Sequence, residues 1–268
     1  MISTLNRING RHAVKMLANL KKSMLFLILF VFSGLTCAQD FHVAIARWDP
    51  FIMITKGKAT GISIDYVREL CRRLGVNLVL HELPWLRAIR MFERGEVDAM
   101  VNLYFTQART STMTFAIPYY ENMNMRFYTY KKSGVRIKQH ADLYQYEIGA
   151  VEYAANYPNF DLDAKIKTHA TASDEHALKM LLHHRFKLII AAEIQMDHML
   201  DNSDNSEQIE KLDYAPSQTS AVHIALSKKS AFIKELPRIN QYTRAILEEG
   251  LIESYAKKHI RKHTKAHK

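Results

Sequence analysis

From residue 41 onward, short apolar runs alternate with longer stretches in which apolar residues recur every three or four positions. FHVAIA (41–46) reads as a buried strand. Ile64, Val67, Leu70, Cys71 and Leu74 then keep helical spacing, and Gly75 is placed to end that helix. VNLVLHE (76–82) predicts the next strand, and Leu86, Ile89 and Phe92 mark a short helix ending at Gly95, with Arg87, Arg90 and Arg94 on its other face. VDAMVN (97–102) predicts a third strand. A second series follows: strands at MRFYTYKK (125–132), YEIGAV (146–151) and AKIKTHA (164–170), then a helix opened by Ser173 with acids in its first turn. FKLIIAA (186–192) and AVHIAL (221–226) predict two more strands. Phe232, Leu236, Ile239 and Ile246 lie on one helical face, and beyond Gly250 a last helix is expected from Leu251 to about Lys262. Such alternation predicts an α/β fold of βαβ units with mostly parallel sheets flanked by helices. No Pro/Gly-rich linker separates the two series, so ordered strands must join them, with 125–132 as the first crossing.

The ends of the chain have a different character. Arg7, Arg11, Lys15, Lys21 and Lys22 precede an apolar stretch beginning at Met24, and Thr36-Cys37-Ala38 supplies small residues before Gln39. The apolar stretch falls short of the roughly 20 residues of a membrane span, so residues 1–38 are expected to be a cleaved secretory signal, with Met1 or Met16 as the start. The chain holds 37 basic and 27 acidic side chains, but 26 basic against 27 acidic remain between Gln39 and Ala256. The excess positive charge therefore belongs to the two ends, and no nucleic-acid partner is expected. Past residue 38 the single cysteine, Cys71, falls on an apolar helical stripe and reads as buried packing.

Between residues 102 and 120 the only charged side chain is Arg109, set among aromatic and hydroxyl residues. A guanidinium in such surroundings requires an anion, and its planar fork of donors matches a carboxylate in two parallel hydrogen bonds. Around it a series of short motifs runs in order: Pro50-Phe51, GISIDYVRELCRRLGV (61–76), Pro84-Trp85, Gly95 with Asp98 and Ala99, Thr106 with Arg109, the Pro-Tyr-Tyr segment 118–120, and EGLIESYAKKH (249–259). In this order they resemble the extracytoplasmic solute-binding proteins of ABC importers that bind polar amino acids. The resemblance implies a two-lobed, type II periplasmic-binding fold with the ligand in the cleft. Lobe 1 would take 39–123 and 223–268, and lobe 2 residues 124–222.

The resemblance also implies the site. Arg109 falls where the family grips a ligand carboxylate, and Trp48 and Trp85, the only tryptophans, fall where aromatic side chains sandwich the ligand. Asn102 stands at the position facing the ligand ammonium, Tyr104 where a smaller hydroxyl residue is usual, and Tyr153 within a carboxylate-binding turn that is usually Gly-Thr. The acid that pairs with the ligand amine is replaced by Ala192, with Glu193 one residue later as a substitute. The implied function is capture of a small polar, anionic or zwitterionic solute in the periplasm and its presentation to a membrane permease, by a monomer, with no cofactor, metal or catalysis. An alternative is an enzyme on the same scaffold, dehydratase-like, with Glu152 or Glu193 as general acid or base; another is a sensory or orphan binding protein. His259, His263 and His267 would share a face if the tail is helical, a spacing that suits a metal but equally a solvated basic tail.

Overall fold

The computed structural model describes residues 39–260; residues 1–38, expected above to be a signal, with Cys37, and His263 and His267 lie outside the described residues. The described strands form two main sheets and a small hairpin. In the first sheet, β1 (Asp40–Ile45) lies between β4 (Asn77–Glu82) and β5 (Ala99–Tyr104), parallel to both. β13 (Ser220–Ser227) returns antiparallel beside β5, and β6 (Met113–Phe115) and β7 (Tyr120–Met123) pair with it. The second sheet has the order β10 (Lys167–Thr171), β9 (Glu147–Val151), β11 (Leu188–Ala192), β8 (Met125–Tyr130), β12 (Ile209–Lys211). Its first three strands are parallel, β8 runs antiparallel beside β11, and β12 pairs antiparallel with β8. Each sheet is thus mostly parallel, as expected, with a single strand running the other way: β13 in the first and β8 in the second. The reason is topological: β8 and β13 enter from a passage between sheets and not through a helical crossover.

The passages between sheets are short. β7 belongs to the first sheet and β8 to the second, so the chain changes sheets at Asn124. It returns between Lys211 and Ser220. The stretch 125–130, expected as the crossing, already lies in the second sheet. The two passages run side by side, since Ser220 pairs with Met123 and the Leu212 N–H donates to the Phe127 carbonyl at 2.9 Å.

Helices cover the sheets where the apolar spacing called for them. α1 (Ile62–Leu74) buries Ile64, Val67, Leu70 and Cys71 against Phe41, Val43 and Ile45. It ends on Gly75 in the left-handed conformation, whose N–H meets the Cys71 carbonyl at 2.9 Å. Burial pushes the Cys71 thiol up to about 12, which makes it a packing residue. α2 (Trp85–Arg94) packs Ala88, Ile89 and Phe92 on the other face of the sheet, against Ala44 and Met100. In the second unit α3 (Pro158–Asp161) is a single turn, and α4 (Asp174–Leu182) sets Ala177, Leu178 and Leu181 against Tyr128 and Ile189. α5 (Glu193–Asp201) follows β11 without a loop. α6 (Leu236–Glu248) and α7 (Leu251–His259) close the chain over α1. There Asp65 accepts from Lys258 at 2.7 Å and His259 at 2.8 Å, so His259 docks a helix.

The hairpin of β2 (Met53–Thr55) and β3 (Lys58–Thr60) turns at Lys56-Gly57, both with positive φ. It leads into Gly61, where φ is 125° and a Cβ would stand 2.3 Å from the Phe51 carbonyl oxygen. Only glycine lets the loop 48–52 lie this close to the start of α1. Gly61→Ala is expected to destabilise the protein by at least about 2 kcal/mol, read as a lower urea midpoint at unchanged slope.

Candidate functional site

The C-terminal end of β5 is where the chemistry collects. Asn102 has φ 62°, which breaks the strand's alternation and turns its side chain towards Ser63 and Tyr119. Its Oδ1 accepts from the Ser63 and Tyr119 hydroxyls, both at 2.5 Å, which fixes the amide and leaves Nδ2 buried without a hydrogen-bond partner. Tyr104, 7 % exposed, also holds a buried hydroxyl without a partner. Its ring meets Trp48 edge-on at 6.2 Å, and Trp48 in turn stacks on Phe51 at 4.8 Å. The larger side chain thus fills the space that a small hydroxyl would leave and still delivers an oxygen.

After β5 a single 3₁₀ turn over residues 108–111 brings Arg109 back over the strand end. Its Nη1 donates to the Tyr104 carbonyl and its Nη2 to the Tyr153 carbonyl, each at 2.8 Å. No carboxylate pairs with it among the described residues. Burial lowers its pKa, and the more distant Asp161 and Glu93 oppose the shift. A guanidinium remains charged under any such shift, so two neutral carbonyls hold a cation whose remaining N–H groups are available. Tyr104 belongs to the first sheet and Tyr153 follows β9 of the second. Trp85 makes a similar span: its Nε1 donates to the Glu152 carbonyl at 2.9 Å. Arg47, just past β1, reaches Glu175 of α4 at 3.3 Å.

These contacts lie around a cavity of about 500 Å³ between the sheets. From the first sheet's side it is lined by Trp48, Trp85, Asn102, Tyr104 and Arg109, five of the seven residues expected from the sequence. The other two stand elsewhere. The Tyr153 side chain is 62 % exposed and only its carbonyl takes part. Glu193, the expected substitute acid, is outside the lining: its carboxylate accepts from Arg126 at 3.1 Å and Lys211 at 3.0 Å. Burial opposes its ionisation, but those two cations hold its pKa below the usual carboxylate range. It is an internal tie of the second sheet because α5 starts directly at the end of β11. Glu152, the other acid weighed for catalysis, is exposed and likewise outside the lining. Among the described residues no group of three or more His, Cys, Asp or Glu side chains is placed to hold a metal.

Sequence reasoning passed over two residues on the second sheet's side. Asp174, at the first position of α4, lines the cavity, and Gln195 of α5 lines it with its Oε1 buried and unpartnered. Burial above all, and then neighbouring Glu175, raises the Asp174 carboxyl to about 7, against the pull of the Gln195 side chain. In the sequence, Asp174 looked like an ordinary acid in a first helical turn; that α4 begins between the two sheets is a fact of topology alone.

Comparison with known proteins agrees with this architecture. The family model for bacterial extracellular solute-binding proteins, family 3, matches residues 42–265. Search of the curated proteins gives no match. Among solved structures, a mutant of the arginine-binding protein ArgBP from T. maritima aligns with a TM-score of 0.70 at 18% identity, over 82% of this chain and 94% of that one. The periplasmic binding protein STM4351 of Salmonella typhimurium, described as highly specific for arginine, aligns at 0.70 and 18%, over 84% of this chain and 100% of that one. The GluR0 ligand-binding core from Nostoc punctiforme, in complex with L-glutamate, gives 0.67 and 18%, over 82% and 99%. At such identities the likeness speaks for the fold, which is the type II periplasmic-binding fold expected from the motifs.

The buried carboxyl has a consequence for stability. Asp174 holds its proton up to about pH 7 in the folded chain but releases it near 3.8 when unfolded. The native state therefore binds more protons between these values and loses stability as pH rises through them. Asp174→Asn is expected to stabilise the protein by about 1–3 kcal/mol at pH 8, an advantage that fades towards pH 4, as thermal melts at the two pH values would record.

Proposed function

The chain belongs to the bacterial extracellular solute-binding proteins, family 3, and from that premise we propose that it captures a small carboxylate-bearing solute between its two sheets. The observation that carries this is Arg109: a charged side chain at the cavity wall, held by two carbonyls and paired with no acid among the described residues. A ligand carboxylate would take the remaining N–H groups of the guanidinium. Asn102 Nδ2 and the Tyr104 hydroxyl, both without partners, are further donors on the same wall. Trp48 and Trp85 would cover the apolar part of the solute.

Residues 39–123 with 223–268, and residues 124–222, would then act as two lobes. Trp85 with Glu152, Arg109 with Tyr153, and Arg47 with Glu175 are contacts between them, and on this reading they would form as the lobes close. A solute that touches both walls favours the closed form by the difference in its affinity for the two states. The closed monomer, exported by way of the 1–38 signal segment, would be recognised by a membrane permease of an ABC importer, and no bond of the solute would be broken. One observation favours a second reading. Asp174, titrating near 7 inside the cavity, has the pKa of a general acid or base, so the scaffold would also suit proton-transfer chemistry.

Titration with amino acids, small dicarboxylates and aromatic acids while recording tryptophan fluorescence tests the first reading. Both tryptophans line the cavity, so a true ligand should change the signal. Arg109→Ala should weaken that ligand at least about 30-fold, the range for removing one partner of a buried charge pair. A ligand whose affinity ignores the substitution would remove Arg109 from the role of anchor. Recovery of the ligand unchanged after prolonged incubation separates binding from turnover.

A further inference from the structure

Glu193 stands outside the cavity, yet the groups it holds lie on the route between the two sheets. β11 and β8 run antiparallel with Ala192 opposite Met125, so Glu193, the next residue, comes opposite Asn124, where the chain changes sheets. We propose that Glu193 and Arg126 form a latch on both inter-sheet passages that holds the lobes in the closed arrangement, so that both are positioning residues for a solute they never touch. The inference rests on the reading of residues 39–123 with 223–268, and residues 124–222, as two lobes that close on a solute.

The first passage is held twice. The Glu193 N–H donates to the Asn124 carbonyl at 2.8 Å, and the Glu193 Oε2 accepts from the Asn124 amide at 3.5 Å. The second passage is reached through Arg126, whose Nε donates to Glu193 Oε1 at 3.1 Å while its Nη1 donates to the Asp213 carbonyl at 3.3 Å. Residues 212–219, which carry the chain back, form no helix or strand, so bonds of this kind are what restrain their backbone. Lys211, the last residue before that return, donates to the same Glu193 oxygen at 3.0 Å and to Asp197 at 2.6 Å. The Arg126 and Glu193 side chains are only 24 % and 21 % exposed, so salt screens their attraction less than that of a surface pair. Paired strands move as a body, and a change in the angle between lobes is absorbed by backbone torsions in the segments that join them. Contacts to the carbonyls of residues 124 and 213 therefore belong to one setting of those torsions. It is the setting in which Trp85 meets Glu152 and Arg109 meets Tyr153. Neither Glu193 nor Arg126 lines the cavity, so replacing them changes affinity only through the population of the closed form.

Acrylamide quenching of tryptophan fluorescence in the purified, solute-free full chain reads the latch, since both tryptophans line the cavity from the first sheet's side. Glu193→Gln takes the anion from Arg126, while Lys211 keeps Asp197. Quenching should rise as the cavity opens, with the far-UV circular dichroism of the parent retained. Arg126→Met, which removes the reach to Asp213, should act in the same way and serves if the first variant fails to fold. With L-arginine, L-glutamate and L-glutamine as probes, each variant should weaken whichever binds at least about fivefold, the low end of coupling between separate sites, through faster dissociation. A tie that merely stabilises the second sheet would lower the urea midpoint without moving the quenching of tryptophans in the other lobe. Quenching equal to the parent's in both variants would overturn the latch, whether or not a probe binds more weakly. Raised quenching with none of the three probes bound would uphold the latch and count against the reading of the cavity as a solute site.

Discussion

A guanidinium withdrawn from bulk water needs acceptors for its donors and an anion for its charge, and Arg109 has only the first. Its acceptors are the carbonyls of Tyr104, in the first sheet, and Tyr153, just past β9 of the second, both at 2.8 Å. Hydrogen bonds to neutral carbonyls direct the side chain but leave its charge uncompensated. The same side chain therefore joins the two halves and keeps attraction for an anion in the space between them. The surrounding features serve that placement. The left-handed Asn102 interrupts β5, the 3₁₀ turn folds the chain back, and Gly61 lets the Trp48 loop come close to α1.

The polar groups of the cavity are set against the stability of the fold that holds them. Tyr104, Asn102 and Gln195 each hold a buried atom without a partner, and Asp174 raises its pKa rather than keep an unpaired charge. In a well-packed domain such groups are few, because each costs roughly 1–3 kcal/mol. Here the residues that carry them line one cavity, Asn102 and Tyr104 from the first wall and Asp174 and Gln195 from the second. A solute that satisfied them would stabilise the closed form in proportion to its concentration over its dissociation constant. Binding and closure would then be one event.

How much of this was legible beforehand differs between fold and site. The amphipathic stripes of α1, α2 and α4 and the runs at β1, β9 and β11 were readable because periodicity reports which face of an element is covered. The short pairs β2–β3 and β6–β7 were not, since three- and four-residue strands carry too few positions for a period. Arg109, Trp48 and Trp85 could be singled out because a lone charge in an apolar run, or an aromatic at a strand end, is unusual where it stands. Glu193 and Asp174 defeated the same reasoning in opposite ways. Each is an acid at the first position of a helix, and no local pattern says that one meets Arg126 and Lys211 while the other faces the cavity.

The sequence by itself therefore determined the longer elements, their order, the family and the unusual place of Arg109, all properties of neighbouring residues or of fixed spacing along the chain. The tertiary structure alone decided which acid is neutralised and which lines the cavity. It also decided that β8 and β13 enter their sheets antiparallel, and that backbone carbonyls of residues 152 and 153 meet Trp85 and Arg109. The physical reason is that charge compensation and hydrogen bonding act through space over a few ångströms, between residues such as 109 and 153 that lie far apart along the chain.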